Sequence, residues 1–316
     1  MIRKIALATI PILFATLSAS AQTCTFTVST VNFGDVDTLS GTNVDTTGVV
    51  STTCSNGLLT NLRVCLNINA GSGGASGSTR RMLGASNNVL EYNFYQNAAR
   101  SILWGSREQT ALGTPVFFDF LQLLLPATIN RTIYARVPAN QLSASPGLHT
   151  SSFAGTGVSF NYVNYGLLAT PPPCSAVTQN TTRATFITQA NVKANCKVTA
   201  QNINFGPHGV LDTAVDAPGG LSLSCTAGTS YSIGLNNGQT GTAPTQRRMT
   251  LGSEAVIYGL YKDANRSQPW GNSGGTLASG TGAGSAQNIP IYGRVPAQQT
   301  PSPGVYNDTV IVTVTY

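Results

Sequence analysis

The feature that most constrains this chain is an internal duplication whose second copy ends sooner than its first. Ile291-Tyr-Gly-Arg-Val-Pro-Ala297 repeats Ile133-Tyr-Ala-Arg-Val-Pro-Ala139, and the landmarks upstream keep one order in both copies. Cys24 stands eight residues before Asn32-Phe33-Gly34, and Cys196 eight before Asn204-Phe205-Gly206. Cys54 and Cys225 follow, then Arg80-Arg81-Met82-Leu83-Gly84 and Arg247-Arg248-Met249-Thr250-Leu251-Gly252. Tyr92 leads to Trp104-Gly105 at the same distance as Tyr258 to Trp270-Gly271. Landmarks repeated in register define two copies of one structural unit.

Within each copy, short segments rich in Val, Ile, Thr and Tyr alternate with Gly, Asn and Pro turns. Residues 222–226, 231–235, 256–261 and 289–294 are examples, and the pattern predicts antiparallel strands. No stretch keeps a helical period. The expected fold is all-β, two immunoglobulin-like β-sandwich domains. The charged fraction of 9% lies far below the usual quarter and suits exported β-proteins.

The last predicted strand runs from Thr309 to Tyr316 and puts Val310, Val312, Val314 and Tyr316 on one face. Its counterpart carries Thr156, Val158, Phe160 and Tyr162, after which residues 163–195 leave room for a closing strand and a linker. Nothing comparable follows Tyr316. The C-terminal domain is therefore expected to lack its final strand, with Val310, Val312, Val314 and Tyr316 lining the open groove. The expected division is 22–182, including closing strand and linker, and 183–316.

Arg3 and Lys4, the apolar run from Ile5 to Leu17 and Ala19-Ser20-Ala21 read as a cleaved signal peptide over residues 1–21. The run is shorter than the roughly 20 residues a membrane helix needs. The net charge of +6 falls to about +4 without Arg3 and Lys4. The remaining basic residues are scattered, so nucleic acid is not an expected partner. Six cysteines at an even count in an exported chain predict disulfides. With no Cys-x-x-Cys and only His149 and His208, neither a metal site nor a cofactor is expected.

Catalysis is not expected either. The two histidines fall in different copies, and Glu91, Glu108, Asp119 and Glu254 show no pairing suited to acid–base work. Gly280-Thr-Gly-Ala-Gly284 lacks the strand-to-helix setting of a phosphate cradle. Arg136, Arg294, Trp104 and Trp270 recur in both copies, which marks them as structural.

The paired cysteines, Cys-x7-Asn-Phe-Gly, the Tyr/Trp-Gly block, Tyr-x-Arg-Val-Pro and the terminal Val-Thr-Val-Thr-Tyr strand resemble spore coat protein U domains. These are the subunits of archaic (Csu-type) chaperone–usher pili, and the resemblance covers residues 22–316 twice over. It implies a periplasmic chaperone that fills the missing-strand gap, an outer-membrane usher, and an adjacent pilin subunit that donates an N-terminal strand in its place. A chain whose first strand opens at Cys24, directly after Gln22, is expected to donate no strand itself, which implies the distal pilus tip at the cell surface. By resemblance, such a two-domain subunit is the tip adhesin that serves biofilm formation, with the N-terminal domain binding the target.

The copies differ where a binding domain should. Cys54 to Asn69 spans 15 residues against 11 from Cys225 to Asn236, and the longer loop carries Leu58-Leu59. The segment after Trp-Gly has 27 residues in the first copy and 19 in the second, and it contains Pro115-Val-Phe-Phe-Asp-Phe-Leu-Gln-Leu-Leu-Leu-Pro126. Phe117, Phe118, Phe120, Leu121, Leu123, Leu124 and Leu125 put apolar side chains on both strand faces. They form either an extra core or edge-covering strand, or a displayed patch for a hydrophobic or abiotic surface. The second assignment, with Leu58 and Leu59, is what the resemblance implies. A secreted lectin-like polysaccharide-binding module or a coat component is the alternative. From the repeat, Cys24 pairs with Cys54 and Cys196 with Cys225, leaving Cys65 and Cys174 to each other by parity.

Overall fold

The computed structural model describes residues 22–57, 59–123 and 125–316; the expected leader lies outside them. The first unit contains β1 (Thr23–Val28), β2 (Val31–Val36), β3 (Val44–Ser55), β4 (Thr60–Ile68), β5 (Ala75–Ser76) and β6 (Thr79–Leu83). It continues with β7 (Val89–Tyr95), β8 (Val116–Gln122), β9 (Ala127–Val137), β10 (Gly147–Phe153), β11 (Val158–Tyr165) and β12 (Phe186–Val192). The second contains β13 (Cys196–Ala200), β14 (Val215–Cys225), β15 (Ser230–Leu235), β16 (Arg247–Leu251), β17 (Glu254–Tyr261), β18 (Ala278–Thr281), β19 (Ala286–Val295) and β20 (Val312–Thr315).

Period-two patterning builds these strands. In β9, Ile133, Ala135 and Val137 point inward while Tyr134 and Arg136 face out, and β19 repeats this with Ile291, Gly293 and Val295. The first unit packs a sheet in the order β1-β3-β9-β7-β6-β10-β12-β2 against β11-β4-β8. The second packs β13-β14-β19-β17-β16 against β18-β15-β20. Both are immunoglobulin-like sandwiches with separate apolar cores. The second reproduces the first strand for strand, except for β2, β5, β10 and β12.

Repeated side chains hold each sandwich in the same way. Cys24 lies opposite Cys54 and Cys196 opposite Cys225 on paired strands, and both pairs are disulfide-bonded. The buried indoles of Trp104 and Trp270 donate to the carbonyls of Leu66 and Ile233, each at 3.0 Å. Arg136 and Arg294 grip Asp45 and Asp216 in two-point contacts of 2.7 and 2.8 Å. Arg80 and Arg247, the first members of the Arg-Arg pairs, are fully buried and donate to backbone carbonyls at the ends of β4 and β15, Ile68 and Asn69 in one unit and Leu235 and Asn236 in the other. Burial lowers the Arg80 pKa to about 10, so it stays charged at neutral pH.

The boundary expected at 182/183 is corrected by β12, which pairs with β10 and β2 of the first unit and so lies beyond it. The link shortens to residues 193–195. Asn195 Nδ2 donates to Asp37 Oδ2 at 2.9 Å, and Lys197 to the Leu39 carbonyl, so the units meet beside the end of β2.

Residues 166–182 form a strap over the outer face of β4, closed by the Cys65–Cys174 disulfide. Arg63 Nη1 donates to the Pro172 carbonyl at 2.9 Å, and Asn161 Nδ2 to Gln179 O at 3.1 Å and Thr181 Oγ1 at 2.7 Å. The strap explains why β4 is buried on both faces.

Candidate functional site

The first unit shows what a filled groove looks like. β12 lies antiparallel to β10, from Phe186↔Phe153 to Val192↔Gly147, and parallel to β2. Its inward side chains Phe186, Thr188, Ala190 and Val192 are buried, and Phe186 stacks on Phe153 with ring centroids 4.3 Å apart. Val31, Phe33, Phe153, Val158 and Phe160 are sealed beneath it.

In the second unit the matching segments, 203–206 and 304–310, form no strand; only an isolated Thr250↔Asn307 bridge marks the β10 position. The counterparts Ile203, Phe205, Val310, Val312 and Val314 pack on the core yet remain half-buried. So does Met249, where Met82 is fully buried. Among the described residues nothing covers them. An apolar trough flanked by unpaired backbone is a template for a further strand.

Three of the expected groove residues, Val310, Val312 and Val314, face this trough, and Tyr316 does not. Tyr316 lies past the last register pair of β20, is 55% exposed and directs its hydroxyl to Asn195 Oδ1 at 3.4 Å. Its counterpart Tyr162 instead lies within β11, opposite Val64, is 7% exposed and accepts from Cys24 N at 3.2 Å. The trough also contains Ile203, Phe205, Tyr306 and Asp308, which the alternation of the last strand does not reveal. The Asn-Phe-Gly repeat was the available signal, because Phe33 is core in the first copy. Tyr258 donates to Asp308 Oδ2 at 2.7 Å, and its hydroxyl pKa is raised by burial first and by this carboxylate second.

At the far end of the first unit, three loops come together. The rows Tyr165–Asn61–Leu121 cross β11-β4-β8, so the loops after Tyr165, before Thr60 and after Gln122 emerge side by side. Gln122 Nε2 donates to the carbonyls of Leu123 and Leu125, at 2.9 and 3.0 Å, and fixes that turn. Leu59 (64% exposed), Leu123 (52%) and Leu125 (79%) project from it, with Leu121 half in the open on β8. Leu59 holds φ at 46°, a left-handed conformation that bulky residues adopt at a cost of about 1–3 kcal/mol. Leu58 and Leu124 lie outside the described residues.

The structure divides the apolar run. β8 is an ordinary edge strand: Phe118, 4% exposed, enters the core, and half-buried Phe120 packs on that core with its ring 6.0 Å from Phe118. Neither is displayed. Phe117 is exposed, but on the flank, where the Arg63 guanidinium covers its ring at 4.5 Å. Conversely, Leu167 and the fully exposed Leu168 join the leucine end, tied by Asn61 Nδ2 to the Gly166 and Leu167 carbonyls at 3.4 Å. Sequence reading missed them; a second Leu-Leu pair without a counterpart in the other copy was the signal.

The leucine end is remote from the second unit. β3 and β9 pair from Cys54↔Ala127 beside the loops to Val44↔Val137, eleven residues or roughly 35 Å away. β12 departs toward the second unit at that opposite end. Among the described residues no cluster of three His, Cys, Asp or Glu could hold a metal ion, and no helix is long and apolar enough to cross a membrane.

The Spore Coat Protein U domain model matches residues 10–156 and again 181–313. Protein U of Myxococcus xanthus is 32% identical over 144 residues, spanning 40% of this chain and 80% of that protein. Among solved structures, the chaperone–tip adhesion subunit pre-assembly complex of the archaic Csu pili of Acinetobacter baumannii aligns with a TM-score of 0.48 at 16% identity, covering 94% of this chain and 100% of that one. The CupB6 tip adhesin of Pseudomonas aeruginosa gives 0.34 at 11% identity, covering 92% and 94%.

Proposed function

The chain belongs to the spore coat protein U domain family, and we propose that it is the tip adhesin of an archaic chaperone–usher pilus. The family is one of structural subunits, and the chain is not an enzyme. In this reading the second unit is the attachment point. A periplasmic chaperone holds its groove open after export, the outer-membrane usher receives the complex, and an adjacent pilin then supplies the permanent strand. The first unit, closed by its own β12, carries the adhesive end at the cell surface.

One observation carries the assignment: among the described residues, the same groove is filled from within the chain in the first unit and bare in the second. A strand that buries four alternate side chains at roughly 1.5–3 kcal/mol each, besides completing the backbone ladder, joins subunits for long times. Leu59, Leu121, Leu123, Leu125, Leu167 and Leu168 form the end that meets a hydrophobic or abiotic surface and so seeds a biofilm. Three disulfides fit passage through an oxidising compartment.

Co-expression with the cognate chaperone tests the assembly half: a stable one-to-one complex is expected, and dispersed monomer without it counts against the proposal. A saccharide-binding alternative has one observation in its favour, a cleft of about 760 Å³ between the units lined by Asn87, Asn88, Ser145, Thr229, Ser230 and Tyr316, all neutral. Binding inhibited by free sugar would select it.

A further inference from the structure

Resting on the strand-accepting reading above, we infer that the groove of the second unit selects its strand by chemistry as well as by apolarity. The occupant carries a hydroxyl or amide hydrogen-bond donor at its centre, a bulky apolar residue two positions before it and a small residue two positions after. The first unit supplies the register. β12 sets Phe186 opposite Phe153, Thr188 opposite Ser151 and Ala190 opposite His149. The equivalent positions of the second unit are Val310, Asp308 and Tyr306, counted from the shared Pro-Gly at 146–147 and 303–304.

At the Phe186 level the walls recede. Phe153 and Phe94, whose rings lie 4.3 and 6.1 Å from Phe186, are replaced by Val310 and Leu260, so a large apolar side chain fits. At the Ala190 level the larger Tyr306, half-buried on the core with its hydroxyl held by Glu254 and Ser302 at 2.9 and 2.8 Å, takes the place of His149, which favours a small residue opposite it.

The centre differs in kind. In the first unit Thr188 and Ser151 face the Tyr92 hydroxyl, a neutral trio. In the second, Asp308 replaces Ser151. Its Oδ1 accepts from Gln239 N at 2.9 Å and Thr309 N at 2.8 Å, and its Oδ2 from the Tyr258 hydroxyl at 2.7 Å. Gly238, at φ 77°, makes this possible, because a Cβ there would collide with Oδ2. A carboxylate accepts about four hydrogen bonds, and these contacts fill three. A strand with Ser, Thr or Asn at the central position supplies the fourth. A Val there would cover the carboxylate and shut out water without replacing the bond.

The probe is a fluorescent peptide with the sequence of residues 184–194, added to the mature chain and followed by anisotropy. Thr188→Val in the peptide is expected to weaken binding at least tenfold, and Phe186→Ser to abolish it. If the Thr188→Val peptide binds as tightly as the parent or tighter, the selection is overturned, while strand acceptance stands. If no peptide binds, strand acceptance falls and the selection with it. Asp308→Val in the chain should reverse the Thr-over-Val preference, and an unchanged preference overturns the assignment to Asp308. Should that variant not fold, the peptide pair on the unaltered chain decides.

Discussion

The guanidinium of Arg80 donates a 2.8 Å hydrogen bond to the carbonyl of Trp104, with both side chains fully buried. Arg247 and Trp270 repeat the bond at the same length. Arg80 also donates to the Ile68 and Asn69 carbonyls, at 2.6 and 2.9 Å. Arg80→Met removes the donors and leaves those carbonyls buried, at about 1–3 kcal/mol apiece. Calorimetry should show the first unit destabilised by about 3 kcal/mol or more, and Arg247→Met should do the same to the second alone.

Phe186→Ala tests β12 as part of the first sandwich. Deleting a stacked, buried ring costs about 3–5 kcal/mol. The first unit's transition should fall by that amount while the second's is unmoved. Equal effects on both would contradict the corrected boundary.

The proposed surface-binding role of the leucine end is separable from stability. Leu59→Ser, Leu125→Ser and Leu168→Ser affect exposed positions and should each change stability by less than about 0.5 kcal/mol. Together they should abolish retention on polystyrene. Phe118→Ser, inside the core, should instead unfold the unit, with loss of about 3–5 kcal/mol.

Removing the Cys65–Cys174 bridge with paired Ala substitutions should cost about 2–5 kcal/mol, since it closes a loop spanning 109 residues of sequence separation. The released strap no longer seats Leu167 and Leu168. Retention on polystyrene should fall, and proteolysis should cut first within 166–182.

Acid should weaken both units. Hydrogen bonds from Arg136 and Arg294 hold the Asp45 and Asp216 pKa values below the usual 3.8. The unfolded chain therefore binds more protons in that range, so the stabilisation is present above about pH 4 and lost as the pH falls through the folded values. Asp45→Asn with Asp216→Asn should lower stability at pH 7 and flatten its decline below pH 4, as measured by urea unfolding.

Much of this architecture was legible because two copies could be read against each other. The Cys24–Cys54 and Cys196–Cys225 disulfides, the structural roles of Trp104 and Arg136, and the bare groove all came from matched positions, while Cys65–Cys174 came by parity alone. Where the first copy has no counterpart the reading weakened. β12 is a modest alternation, Phe186-Ile-Thr-Gln-Ala-Asn-Val192, whose long-range pairing with β2 and β10 leaves no local mark. Phe117 and Phe118 are neighbours of equal hydropathy, and only the pleat decides that one is flank and the other core. Burial of Arg80 was hidden because its partners are backbone carbonyls, which no sequence motif displays.

The position of β12 has a mechanical meaning. This strand closes the first sandwich and also tethers it to the second, leaving at Val192 on the side away from the leucines. A pull between a held surface and the rest of the chain is directed along the strand, so its backbone bonds share the load in shear instead of unzipping one after another. Force-resistant anchorage thus needs no extra element, because the connector is itself a staple of the domain it carries.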